Sequence, residues 1–274
     1  MTAVVRVHVA ATTGGTDTVR NRDTAAQTIT AAARDGARLV VLPEYAARFD
    51  PRGVGPELAE PLDGPFVNLL RGLAEQTGVS VVAGTTLPGE RADRAVNAVV
   101  AVDGTGGLAG VYRKVHLYDA FGHRESERLE PGPADAAPLV LDVDGLRVGV
   151  MTCYDLRFPE SARRLVDAGA SVLVVPAAWA AGEHKADQWL TLLRARAIED
   201  TAYVLGSAQQ GHGVVGDSVV VDPHGVVLAR AGGRVTEGGS PGVAAADLDP
   251  EVVRTVRERN PSLANRRYGV VPIS

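Results

Sequence analysis

Leu39-Val40-Val41-Leu42 is apolar at four consecutive positions and shows none of the alternation of a strand with one face in water. Arg38 to Leu42 therefore predicts a strand buried on both faces, which needs a layer of cover on each side. The longest apolar stretches, such as Val172-Leu173-Val174-Val175, are far too short to cross a bilayer.

Around this run, β-branched segments alternate with alanine-rich helical ones. Strands are expected at Val4 to Ala10, Val79 to Thr85, Ser171 to Val175, Ala202 to Ser207 and Val243 to Asp247. Helices are expected at Thr18 to Arg34 (with Gly36 as its stop), Phe66 to Gln76, Pro159 to Ala168, Asp187 to Asp200 and Pro250 to Arg259. Three hairpins interrupt the alternation. Val96 to Val102 and Leu108 to Val115 flank Asp103 to Gly107; Leu139 to Val143 and Leu146 to Met151 flank Asp144-Gly145; Val219 to Val221 and Val226 to Leu228 flank Asp222 to Gly225. Buried strands, hairpins and outer helices together predict an α/β fold of two sheets face to face with helices outside. The richest turn segment, Gly232 to Gly242, lies too near the C-terminus to divide the chain, so residues 1–274 are read as a single domain. The hairpins are too dissimilar to form a detectable repeat.

Hydrophobic residues at 45% and charged residues at 22% are ordinary globular values, and a formal charge of −5 argues against a nucleic-acid partner. Met1 to Arg6 carries no basic segment leading into an apolar core, so a cytoplasmic setting without a membrane partner is expected. His116, His123, His184, His212 and His224 are scattered, and with one cysteine they make no recognisable metal motif.

That cysteine is Cys153, at the end of the run from Leu146 to Thr152. It can form no intramolecular disulfide. As a residue of this type it is most often small and buried. At a strand-to-helix corner it can instead face a cleft beside helix N–H groups, which favour the thiolate. Two further β-rich runs end in reactive side chains: Leu39 to Pro43 in Glu44, and Leu108 to Arg113 in Lys114. Taken singly, Glu44 reads equally as a solvated carboxylate and Lys114 as half of a solvated basic pair with Arg113. Taken together, a carboxylate, an ammonium and a thiol are the base, the oxyanion partner and the nucleophile of an acyl-transfer site.

Leu42-Pro43-Glu44-Tyr45, Tyr112-Arg113-Lys114-Val115-His116-Leu117 and Cys153-Tyr154-Asp155-Leu156-Arg157-Phe158-Pro159-Glu160 resemble, in order, the three blocks of the carbon–nitrogen hydrolase (nitrilase) superfamily. Similar stretches at Glu125-Ser126, Leu193 to Glu199, Ser218 to Gly225 and Asn265 to Tyr268 extend the resemblance over almost the whole chain. It implies a four-layer α-β-β-α sandwich of two mixed sheets, assembled as a homodimer or higher homo-oligomer, with no metal or organic cofactor. It also implies Cys153 as nucleophile, Glu44 as general base, Lys114 as oxyanion cation, Glu125 as a second active-site carboxylate and the Tyr154 N–H as a further oxyanion donor.

Tyr154-Asp155 stands where true nitrilases carry Trp-Glu, which moves the expected substrate from nitriles to amides. The run through Arg157 looks most like omega-amidases and deaminated-glutathione amidases, where this arginine binds a substrate carboxylate; a structural ion pair with Glu160 or Asp155 is the competing reading. Trp179 and Tyr45 are also expected to contact substrate; Glu183 and Lys185 lie within reach of it but read first as solvated loop charges. Asn97 reads as a brace between strands. The chain is thus expected to be an enzyme cleaving a small carboxylate-bearing amide through a thioester. An N-carbamoyl amidohydrolase and a nitrilase are the alternatives of the same class, and a non-catalytic dimeric binding or redox-sensing protein that of another.

Overall fold

The computed structural model describes residues 4–232 and 242–273, so Met1 to Ala3 and the interior of the turn segment from Gly232 to Gly242 lie outside the described residues. Strand β1 (Val5–Ala11), helix α1 (Thr18–Arg34), β2 (Leu39–Val41), α2 (Pro65–Thr77) and β3 (Ser80–Pro88) form a run in which β1, β2 and β3 pair in parallel. Parallel neighbours need a crossover, and each helix supplies one. Then β4 (Ala95–Val102) adds antiparallel to β3, and β5 (Leu108–Arg113) antiparallel to β4.

The second half repeats this order. After β6 (Val140–Val143), strand β7 (Leu146–Val150), α3 (Pro159–Asp167), β8 (Val172–Ala177), α4 (Lys185–Asp200) and β9 (Tyr203–Ala208) again make three parallel strands. Strands β10 (Ser218–Val221) and β11 (Val227–Ala231) follow antiparallel, while β12 (Gly242–Leu248) returns to pair with β1 before α5 (Pro250–Arg259). The sheets run β12-β1-β2-β3-β4-β5 and β6-β7-β8-β9-β10-β11, the same pairing pattern twice, except that the edge strand beside β1 arrives from the far end of the chain while that beside β7 directly precedes it. The hairpins show no repeat in sequence, yet the architecture repeats. Pairing pattern and side-chain volume are conserved more cheaply by many apolar sequences than by one.

The two sheets meet through inward side chains from both, among them Val7, Val9, Leu39, Val41, Val82, Val148, Val150, Val174 and Leu205. Alternate residues of β2 and its continuation turn the other way, so Val40 and Leu42 pack under α1 and α2 with Ile29, Phe66 and Leu70. On the far side α3 and α4 cover the second sheet through Leu165, Trp189 and Leu193. The result is the four-layer α-β-β-α sandwich, and it accounts for the continuous apolarity of residues 39–42: each face has its own core. The Asp144-Gly145 hairpin forms as expected, with φ of 50° and 87°, the left-handed pair that a two-residue turn needs.

Beyond β2 the chain stays clamped to β3. Leu42 N donates to Val82 O (2.8 Å), Gly84 N to Pro43 O (3.1 Å) and Ala46 N to Gly84 O (2.8 Å). A Cβ on Gly84 would lie 2.4 Å from Glu44 Cα and 2.7 Å from Tyr45 N, contacts with backbone that no rotamer change relieves. Gly84→Ala is therefore expected to push the Glu44 loop off β3 and cost at least about 1–3 kcal/mol, the usual range for overpacking. Chemical denaturation measures this; an unchanged unfolding midpoint would show that the loop yields freely.

Candidate active site

The three reactive side chains come from the ends of three strands. Glu44 lies three residues past β2. Lys114 follows β5, held by its own N–H to Asn97 O (2.9 Å) and by Gly132 N to its carbonyl (2.8 Å). Strand β5 ends at Arg113, two residues short of the expected end at Val115, so Lys114 and Val115 lie just beyond it. Past β7, Met151 N still donates to Val174 O (3.2 Å) and Thr152 Oγ1 to Pro176 O (2.8 Å). Cys153 then turns into the left-handed region at φ 46° and opens a 3-10 turn over Cys153–Arg157 that leads into α3. Non-glycine residues hold that conformation only where surrounding structure enforces it.

Asp155 provides the enforcement. Fully buried, it accepts from Thr152 N (3.1 Å) within the turn, from Tyr112 Oη (2.7 Å) and from His116 N (3.2 Å), and its Oδ1 lies 2.7 Å from His116 Nδ1. Tyr112 and His116 bracket Lys114, so one carboxylate ties the cysteine's turn to the lysine's segment. This residue is therefore unavailable to Arg157.

Lys114 has 0% exposure, and its Nζ lies 3.1 Å from Glu44 Oε1 and 2.9 Å from Glu125 Oε2. Burial alone would push this ammonium down, but the charges of Glu125 and Glu44 outweigh it and hold it well above the ordinary lysine range. Glu44 also accepts from Asn97 Nδ2 (2.6 Å) and from Ala178 N (2.7 Å). Asn97 does brace the strands, and it does so by gripping the carboxylate itself. Glu125 in turn accepts from Tyr118 N (2.8 Å) and from the hydroxyl of Tyr45 (3.2 Å), which takes a second bond from Asn97 (2.7 Å). The Tyr45 ring lines the cavity, but its hydroxyl is engaged by Glu125 and Asn97 and is not available to a ligand.

Cys153 is 8% exposed. Its thiol is pushed well above the ordinary range, first by burial and then by the charge of Glu44, against the opposing pull of Lys114. The thiolate expected from helix N–H groups is thus not the resting form. Two carboxylates against one ammonium leave a net negative charge around the sulfur, and it outweighs the N–H groups of a short 3-10 turn.

Glu44, Glu125, Cys153, Tyr154, Arg157, Trp179 and Lys185 line one cavity of about 340 Å³, within the size range of small-molecule sites. Tyr154 N–H is among the first of the 3-10 turn, groups that such a turn leaves without an internal partner. Arg157 pairs with neither Glu160 nor Asp155: its Nη2 donates to Gln188 Oε1 (2.7 Å) and its Cζ sits 5.0 Å from the Trp179 ring centre. Lys185 is not the solvated loop charge expected. It is 7% exposed, its Nζ donates to Tyr118 Oη (3.1 Å), and its carbonyl accepts from Trp179 Nε1 (3.0 Å). Glu183 is exposed as expected.

The carbon-nitrogen hydrolase family model matches residues 3–258. This chain belongs to the carbon–nitrogen hydrolase family. The hydrolase is 38% identical over 251 residues to a deaminated glutathione amidase of Escherichia coli O157:H7, covering 91% of this chain and 92% of that protein. Among solved structures, the Caenorhabditis elegans NitFhit protein superposes with a TM-score of 0.84 at 31% identity; the match covers 97% of this chain and 66% of that longer one. An amidase from Nesterenkonia sp. AN1, solved after addition of acrylamide to its active-site cysteine, gives a TM-score of 0.75 at 28% identity over 93% of this chain and 97% of that one. Among the described residues of the hydrolase, no helix is long and apolar enough to cross a membrane.

The raised thiol has a direct consequence for labelling. A thiol above its ordinary range is almost fully protonated at pH 7, so alkylation of Cys153 by iodoacetamide should be slower than that of a free cysteine and climb as pH rises past 9. Glu44→Gln removes a carboxylate that holds the thiol up, so at pH 8 this variant should be alkylated faster than the parent. A labelling rate that levels off below pH 7 would contradict both expectations.

Proposed function

We infer that the hydrolase cleaves small carboxylate-bearing amides, of the omega-amide or deaminated-peptide type, through a thioester on Cys153. The reading is carried by a buried lysine bonded to two carboxylates that line, with the only cysteine, one small cavity. It is supported by relatives named deaminated glutathione amidase.

In the first half-reaction Cys153 Sγ attacks the amide carbon while Glu44 accepts the thiol proton. The oxyanion forms between Lys114 Nζ and Tyr154 N–H; removing one such donor typically costs roughly a hundred- to a thousand-fold in rate. Glu44 then passes its proton to the leaving nitrogen, the C–N bond breaks, and ammonia or an amine departs. In the second half-reaction Glu44 takes a proton from water, the resulting hydroxide attacks the thioester, and collapse returns the proton to sulfur as the acid leaves. One negative charge moves between Glu44, sulfur and oxyanion, and Lys114 faces it throughout. The buried site therefore never has to accept a second uncompensated charge. Glu125 holds Lys114 from the far side and so orients it.

The same reading places the hydrolase in the cytoplasm, where a lone thiol stays reduced. It also makes the protein a homodimer, with Ile198 of α4 exposed at 49% beside the exposed Val226 as the kind of surface a second copy covers.

Cys153→Ala should abolish ammonia release from omega-amides and deaminated peptides while circular dichroism shows an intact fold. Glu44→Gln should block both formation and breakdown of the thioester. Substantial turnover by Cys153→Ala would overturn the mechanism. Faster ammonia release from N-carbamoyl acids, accompanied by carbon dioxide, or from nitriles would overturn the substrate class.

A further inference from the structure

The cations around the cavity divide into two kinds. Most have a carboxylate of their own: Arg52 has Asp50, Arg124 has Glu127 and Arg128 has Glu57, while Lys114 has the catalytic acids. Arg157 and Lys185 line the same cavity and have no carboxylate within ion-pair distance among the described residues. Their partners are neutral. Arg157 has one bond, to the Gln188 side-chain oxygen, and its Nε is buried with no partner at all. Lys185 has the Tyr118 hydroxyl.

The two cations share one aromatic wall. Lys185 Nζ lies 3.5 Å from the centre of the Phe121 ring and Arg157 Cζ 5.9 Å from the same centre, with the Trp179 ring under Arg157. Phe121 is itself 70% exposed and sits at φ 52°, so a strained, open turn covers the pair. Two like charges brought out of water beside each other raise the free energy of the empty site, and an anion between them lowers it. Aromatic faces ease that cost without cancelling the charge.

We propose that Lys185 is a specificity-determining residue: with Arg157 it forms a two-cation cradle that binds the carboxylate of the substrate at the end of the cavity away from Cys153. This rests on the amidase reading above and adds to it the second arm of the anion site. Arg157 offers a planar fork and Lys185 a point charge from the other side, so one carboxylate can bridge both. Lys185 is set at the first residue of α4, with its carbonyl fixed by the Trp179 indole, so its stem is positioned rather than free.

The test compares glutaramate, which has a carboxylate opposite its amide, with glutaramide, in which that carboxylate is a second neutral amide. The parent enzyme should favour glutaramate in kcat/KM. Lys185→Met should reduce that preference about tenfold to a hundredfold, the range for losing a charge-assisted hydrogen bond, chiefly through KM. Lys185→Arg should restore much of it. A Lys185→Met enzyme that is folded and keeps the full preference would overturn the proposal. A separate readout uses glutarate binding to Cys153→Ala protein by calorimetry. Binding that weakens on adding Lys185→Met supports the cradle even if no amide is turned over, an outcome that would sink the amidase reading alone. Equal binding with and without Lys185→Met would refute the cradle whatever the turnover.

Discussion

Everything in this active site is arranged around one fully buried ammonium held between two carboxylates. Such a cluster is a poor way to stabilise a fold. Each charge loses its hydration, and Coulomb attraction commonly does little more than repay that loss, while removing a single member costs on the order of 3–5 kcal/mol. Its value is chemical. Lys114, Glu44 and Glu125 together leave one excess negative charge beside Cys153, which adds to burial in holding the thiol above its ordinary range. In the proposed mechanism the nucleophile is thus made on demand, and a buried thiol that stays neutral is also protected from stray oxidants.

The fold makes such a cluster possible by bringing loops from both of its layers to one place. Glu44 is clamped to β3 by its neighbours' bonds to Gly84, and Lys114 to β4 through Asn97, all in the first sheet. Cys153 belongs to the second sheet, and its turn is tied to the lysine segment by Asp155, which bonds to Tyr112 and His116 on either side of Lys114. Residues carried on strand ends and locked by such second contacts are held more closely than loop residues. The repeated pairing pattern of the two sheets supplies two similar faces, and the site lies where the loops of both converge.

Much of this was legible in the sequence because it depends on local pattern. Continuous apolarity at 39–42 reported two buried faces, Asp144-Gly145 reported its turn, and the three strand-end residues were visible as abrupt polar endings. What could not be read depends on neighbours far away in the chain. The burial of Lys185 comes from Tyr118 and Phe121, more than sixty residues earlier, so a charge in a Gly-containing loop looked solvated. The partner of Arg157 is Gln188, not the nearby acids, because Asp155 is already engaged by the lysine segment. The direction of the thiol's shift also escaped. A helix-start rule weighs local N–H groups, whereas burial and then carboxylates from elsewhere in the chain decide the outcome. Asn97 carried a faint signal, an amide inside the otherwise apolar run Val96 to Val102; a buried amide of that kind usually has a polar partner to satisfy.

In the proposed mechanism Cys153 carries the acyl group during turnover, and Glu44 serves it in both directions. Because the chain has one cysteine, acid-quenching the enzyme at saturating amide and weighing its peptides by mass spectrometry tests this without ambiguity. The account predicts an acyl mass on the peptide that contains Cys153, lost on hydroxylamine treatment as thioesters are. Steady turnover with that peptide always at its unmodified mass would contradict it.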